Sequence, residues 1–223
     1  MNVEVLYRPA HSMARVELAP RESVVAESGA MVGMTPGIHI ETSTRGGLLA
    51  GVKRMFGGES FFMNTFTAER AAGEVLLAPR VCGDMAVLDV GPERWMAQSS
   101  SFVASGTGVS LETGIGGFKT FFAGEGLFVL RATGSGPLLL GAFGALEKVE
   151  VRGKLIVDTG HLVAWSADLG WRVTTATSGL IASFLSGEGL VCEFSGAGTV
   201  YVQTRNPAEY GPAVARLLPP RHE

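Results

Sequence analysis

Cysteine is nearly absent from this 223-residue chain, which has only Cys82 and Cys192. A disulfide framework or a cysteine-rich zinc site needs several thiols at close spacing, so both are excluded. Each thiol is expected to be buried and reduced, the usual state of an isolated cysteine. A single bridge between the two stays open, because spacing alone does not say whether they meet. Charge is sparse as well: 17% of residues are Asp, Glu, Lys or Arg, the net charge is −3, and the basic residues are scattered. Binding to nucleic acid calls for a clustered Lys/Arg footprint, so no such partner is expected. Long apolar runs are missing too. The longest uncharged stretch, Trp95 to Leu111, is interrupted by five serines and two glycines and makes a poor membrane span. At the N-terminus, Met1-Asn2-Val3-Glu4-Val5 places a carboxylate where a secretory signal needs basic and then apolar residues. The expected location is the cytoplasm.

What the chain does have is glycine, 31 of them, and a 46% hydrophobic composition. That mixture is too apolar for disorder and too glycine-rich for long helices, and it fits many short strands joined by tight turns. Mean hydropathy is positive, +0.27, without a membrane span. Some apolar surface is therefore expected to lie under a partner subunit, which predicts self-association.

The strands recur. Ala26-Glu27-Ser28-Gly29-Ala30-Met31-Val32-Gly33 aligns with Ala97-Gln98-Ser99-Ser100-Ser101-Phe102-Val103-Ala104 and with Val157-Asp158-Thr159-Gly160-His161-Leu162-Val163-Ala164. Each has a small polar cluster, two large apolar residues and then a small one. Alternating runs follow at Gly37 to Thr42, Gly108 to Thr113 and, shifted by two residues, Gly170 to Thr175. Period-two alternation marks half-buried strands. Next come short apolar stripes at helical spacing (Leu48, Leu49, Val52, Met55 and Phe56 in the first copy), each ended by glycine. Gly58-Glu59, Gly124-Glu125 and Gly187-Glu188 stand just beyond them, and Gly73 to Leu77, Gly136 to Leu140 and Gly198 to Val202 close each copy as a strand. Six anchors in one order predict an all-β body of three pseudo-symmetric repeats, about 3–82, 83–143 and 144–205, packed around a common axis. No linker separates them, so residues 1–205 form one body. Residues 206–223, with four prolines, form a tail holding a short helix at most.

These anchors carry a family resemblance. The run from Gly46 to Phe61, GGLLAGVKRMFGGESF, and the closing Val202-Gln203-Thr204-Arg205 resemble the prokaryotic relatives of the altered-inheritance-of-mitochondria (number twenty-four) mitochondrial biogenesis protein. The likeness runs from about Val3 to Arg205. It implies an all-β fold similar to the tryptophan RNA-binding attenuator protein, a short double-stranded β-helix unit repeated around an axis. It brings no catalytic residue pattern, and fold likeness to an RNA binder is analogy alone.

Tests for chemistry return little. The histidines are His11, His39, His161 and His222, with no paired spacing that would hold a metal. Ser28 and Ser99-Ser100-Ser101 lack a nucleophile elbow and read as turn residues. Gly114 to Thr120 has Phe118 where a phosphate loop needs glycine, and Gly106-Thr107-Gly108 lacks the third glycine of a dinucleotide loop. The sharpest candidates are Glu59, Glu125 and Glu188, which a threefold arrangement would make equivalent. They would either ring an axis and attract a cation or basic partner, or accept hydrogen bonds from backbone amides at a repeated turn. Lys53 and Arg54 flank an apolar stripe that would face the core or, alternatively, touch an anionic lipid or partner surface. The sequence thus predicts a non-enzymatic scaffold or binding protein, without catalytic residues or cofactor, self-associating and open to a further protein partner. A small-ligand-binding or metal-dependent enzyme using a β-barrel cavity is the rival.

Overall fold

Strand β2 (Met13–Leu18) shows how the pattern works: Ala14, Val16 and Leu18 turn inward while Arg15 and Glu17 face out. That alternation places one face of each sheet on the core. The computed structural model describes residues 1–42, 63–113, 128–175 and 190–219. Among these are seventeen strands and a single α-helix.

The named strands pair antiparallel in three sheets. In the first, β1 (Asn2–Leu6) lies beside β2, followed by β7 (Gly73–Leu77) and β4 (Met31–Met34). The second runs β5 (Ile38–Thr42), β6 (Met63–Ala68), β3 (Ser23–Glu27), β10 (Phe102–Gly106), β13 (Gly136–Gly141), β8 (Met85–Val90). The third runs β11 (Val109–Thr113), β12 (Val129–Gly134), β9 (Trp95–Gln98), β15 (Leu162–Ser166), β17 (Leu190–Gln203), β14 (Leu146–Asp158), with β16 (Gly170–Thr175) also on β17. Sheet membership therefore crosses the expected repeat boundaries: β3 pairs with β10, and β9 with β15.

Register slips by one residue in three places. Met31/Gly33 face Leu77/Leu76, Phe102/Ala104 face Leu140/Leu139, and Leu162/Ala164 face Val202/Tyr201. Each is a bulge that bends its strand and increases local twist. Short 3-10 turns at Ser99–Ser101 and Thr159–His161 precede β10 and β15.

The sequence divides Gly187 to Val191 from the strand at Gly198, but β17 is continuous over fourteen residues and pairs with β14 through thirteen positions. The intervening Ser195-Gly196-Ala197 reads as a turn but stays within the strand. Gly153 and Gly196 face each other midway, with φ of 110° and 113°. Only glycine adopts that backbone readily, so the ribbon bends there without breaking its ladder.

The inner faces are filled. One apolar cluster includes Val16, Leu18, Phe66, Leu77 and Leu139; the next, Trp95, Phe102, Leu130, Leu140 and Val163; the last, Leu162, Trp165, Phe194 and Val200. Cys192 belongs to the last cluster, where burial pushes its thiol up to about 12. Cys82 departs from expectation, being exposed, and both cysteines are free. The tail carries α1 (Pro207–Ala215), capped by the Asn206 side chain accepting from Ala208 N–H at 3.0 Å. Tyr210 packs edge-on against Phe143, ring centres 5.0 Å apart.

Candidate functional site

Several chain segments cross at one point. Gly83 and Gly144 form a lone parallel bridge, Ser12 N–H donates to Gly83 C=O at 3.0 Å, and Arg205 N–H donates to Phe143 C=O at 3.1 Å. A Cβ on Gly83 would stand 2.0 Å from the Ala142 carbonyl oxygen, so only glycine permits the approach. The expected unit boundaries at these two glycines thus meet in space. Beside them Asp84 is buried and accepts four hydrogen bonds. Arg8 donates to both carboxylate oxygens at 2.8 Å, Ser12 Oγ donates at 2.9 Å, and Met85 N–H donates at 2.8 Å. Burial works to raise the Asp84 carboxyl, but hydrogen bonds from Arg8, Met85 and Ser12 prevail and hold it below the usual range. With three donors on Oδ1 and one on Oδ2, all from the protein, this carboxylate is a clasp.

The polar residues beside the turns serve the backbone in the same way. Gln98 Nε2 donates to the Thr159 carbonyl at 2.5 Å, Gln203 Nε2 to the Gly160 carbonyl at 2.9 Å, and Phe143 N–H donates to Gln203 Oε1 at 2.9 Å. Asp158 accepts from Gly160 N–H at 2.7 Å, and His161 Nδ1 lies 2.7 Å from the Gln203 carbonyl oxygen. Glu27 occupies the place before its own turn, buried, with Arg80 at 2.7 Å. Burial pushes its carboxyl up to about 7 and Arg80 pulls the other way, so the ion pair forms fully only above neutrality.

Glu59, Glu125, Glu188, Lys53 and Arg54, singled out from sequence, lie outside the described residues, as do the apolar stripes before the glutamates. The structure places the strands that lead to them: β5–β6, β11–β12 and β16–β17 are antiparallel hairpins whose connections carry those positions. His39 is exposed, 3.8 Å from Glu41, and His11 is exposed. Among the described residues no three His, Cys, Asp or Glu side chains gather closely enough to hold a metal. No described helix is long and apolar enough to cross a membrane.

Two strand edges stand apart from this filled interior. In β4, Met31, Val32 and Met34 are 41%, 58% and 41% exposed, and among the described strands β4 pairs only with β7. Among the described strands the outer half of β14, residues 154–158, likewise pairs only with β17, and its Ile156 is 64% exposed. An open groove of about 570 Å³ runs along this half, lined by Lys154, Ile156, Trp171, Arg172 and Glu193 among others. Arg172 and Glu193 neutralise each other across it, Nε to Oε2 at 2.7 Å.

A profile of the family described as Mitochondrial biogenesis AIM24 matches residues 3–205. The chain belongs to that family. This AIM24 chain is 29% identical over 219 residues to an uncharacterized protein of Streptococcus pyogenes serotype M6, covering 93% of the chain and 87% of that relative. Its fold matches the crystal structure of a Streptococcus pyogenes protein with a TM-score of 0.82, at 27% identity over 97% of this chain and 99% of that one. The all-β reading and the family resemblance both hold. The family match ends at residue 205, just before α1 of this AIM24 chain. Sequence reasoning did not find the two open edges. Met31 and Val32 align with Phe102 and Val103, and carry the same apolar signal whether covered or not.

Proposed function

We propose that this AIM24 family member is a non-enzymatic, self-associating scaffold or binding protein of the cytoplasm, with three related β units per chain. The observation that carries the reading is the use made of buried polar groups. Asp84, Gln98 and Gln203 spend hydrogen bonds on main chain or on neighbouring side chains of the fold, which fixes crossings and turns. Groups bonded in this way are doing the work of the fold. The threefold reading is supported by the three register slips at matching places and by the three hairpins that lead to Glu59, Glu125 and Glu188. Self-association is supported by apolar surface on two sheet edges, a pattern that soluble monomers ordinarily suppress.

Size-exclusion chromatography with light scattering tests the reading: a mass that is a multiple of 23.4 kDa at micromolar concentration is expected. A single-chain mass across that range would sink the self-association. The groove beside Trp171 favours the rival, a small-ligand or metal-dependent enzyme. Elemental analysis of the purified protein separates the two, since a stoichiometric transition metal would overturn the non-enzymatic reading.

A further inference from the structure

The two open edges are complementary by a rule the chain applies to itself twice. At one internal junction β10 pairs with β3, Ala104 opposite Ala26 and Ser105 opposite Val25. At the other, β15 pairs with β9, Ala164 opposite Ala97 and Trp165 opposite Met96. In both, the residue three places after a turn meets the residue two places before the preceding copy's turn. The turns are Ser28–Ala30, Ser99–Ser101 and Thr159–His161. Applied once more, the rule leaves one half-junction at each end: Gly33, three places after the first turn, and Val157, two places before the last.

Burial marks the same contrast. Phe102, Val103 and Ala104 are 1%, 2% and 0% exposed, and Leu162, Val163 and Ala164 are buried, whereas their counterparts Met31 and Val32 face solvent. Met96 is covered while Ile156, its counterpart, is exposed. The bulge in β4 is no edge-guarding device, because β10 and β15 carry it in the sheet interior.

We propose that β4 of one chain pairs antiparallel with residues 154–158 of a second copy, Gly33 opposite Val157 and Met34 opposite Ile156, so that chains join head to tail. The partner strand extends the first sheet beyond β4 and covers Met31, Val32 and Ile156. Because the two surfaces differ, the contact is heterologous and each added chain presents a fresh β4, giving a closed ring or a filament according to the rotation per step. This rests on the self-associating reading above.

Cross-linking of the full chain tests it. In a Cys82→Ser background, Met34→Cys and Ile156→Cys are made singly and together; Cys192 is buried and stays out of the chemistry. Directly opposed residues of an antiparallel pair lie within disulfide reach, roughly 4.5–5.5 Å between Cα atoms. The double variant should oxidise to a ladder of covalent multiples, and mixing the two single variants should give a covalent dimer that neither gives alone. Ile156→Lys should reduce the light-scattering mass to one chain with an unchanged circular dichroism spectrum. A disulfide confined to one chain, or a dimer from Met34→Cys alone, overturns the proposal. An oligomer that survives Ile156→Lys overturns this contact and leaves the scaffold reading standing, whereas a monomeric parent protein removes both.

Discussion

Two buried carboxylates pull stability in opposite directions with pH. Asp84 is held below its ordinary value of 3.8, so the unfolded chain binds the proton more readily. Its contribution is present above that value and is lost as pH falls through the depressed folded pKa. Glu27 is raised from 4.5 to about 7, so the folded chain binds the proton more readily. Its contribution is complete below pH 4.5 and disappears as pH rises to about 7. Urea unfolding of Glu27→Gln should therefore lack a decline, on the order of 2 kcal/mol, that the parent protein shows across that upper window. Asp84→Asn should instead flatten the acid limb, and it should be less stable at pH 7 because Arg8 loses its charged partner and the oxygen that accepts from Nη2 becomes an amide NH2. Nature supplies a precedent for the first change, since Gln98 stands before the second turn where Glu27 stands before the first. At Gly83 the limit is steric. Gly83→Ala should cost about 1–3 kcal/mol or more, because the obstacle is backbone and cannot rotate away. Gly211→Ala, in open space on α1, should leave the melting temperature level or slightly higher.

Among the elements, the long ribbon of β14 and β17 bears on both stability and legibility. Trp165 lies under it, fully buried, edge-on to Trp171 and Phe194 at 5.0 and 5.7 Å between ring centres. Its indole N–H finds no acceptor among the described residues. Trp165→Ala should lose about 3–5 kcal/mol by leaving a cavity. Trp165→Phe should lose much less, since it keeps most of the packing and removes an orphaned donor; thermal melts of the two variants make the comparison. Strand content was readable here because alternation reports which face is covered. Continuity was not: glycines at 153 and 196 look like turn residues in one dimension, and only their mutual pairing shows that they bend a ribbon. The same limit explains the cysteines. Nothing in the neighbouring residues separates exposed Cys82 from buried Cys192, because the difference comes from which strand is laid over each.

For the molecule as a whole, the anchors predicted the all-β class, and the glycines at the proposed boundaries turned out to touch. The sharing of sheets between distant segments was not predicted, since pairing partners such as Ala104 and Ala26 lie far apart and leave no local pattern. Nor was the difference between a covered edge and an open one. Three sheets linked by such exchanges and by one crossing should melt together. Far-ultraviolet and tryptophan-fluorescence transitions should coincide, and separated midpoints would show that the units unfold independently.

Strand β17 pairs with β14, β15 and β16 at once. Among the described strands, β14 and β16 have no neighbour until residues 190–203 arrive, and β15 has only β9. During synthesis the later part of the body must therefore wait, with its apolar faces unmatched, until this one strand leaves the ribosome. A stalled chain ending near residue 189 should accordingly be protease-sensitive from β14 onward, while one extended past residue 203 and clear of the exit tunnel should resist digestion.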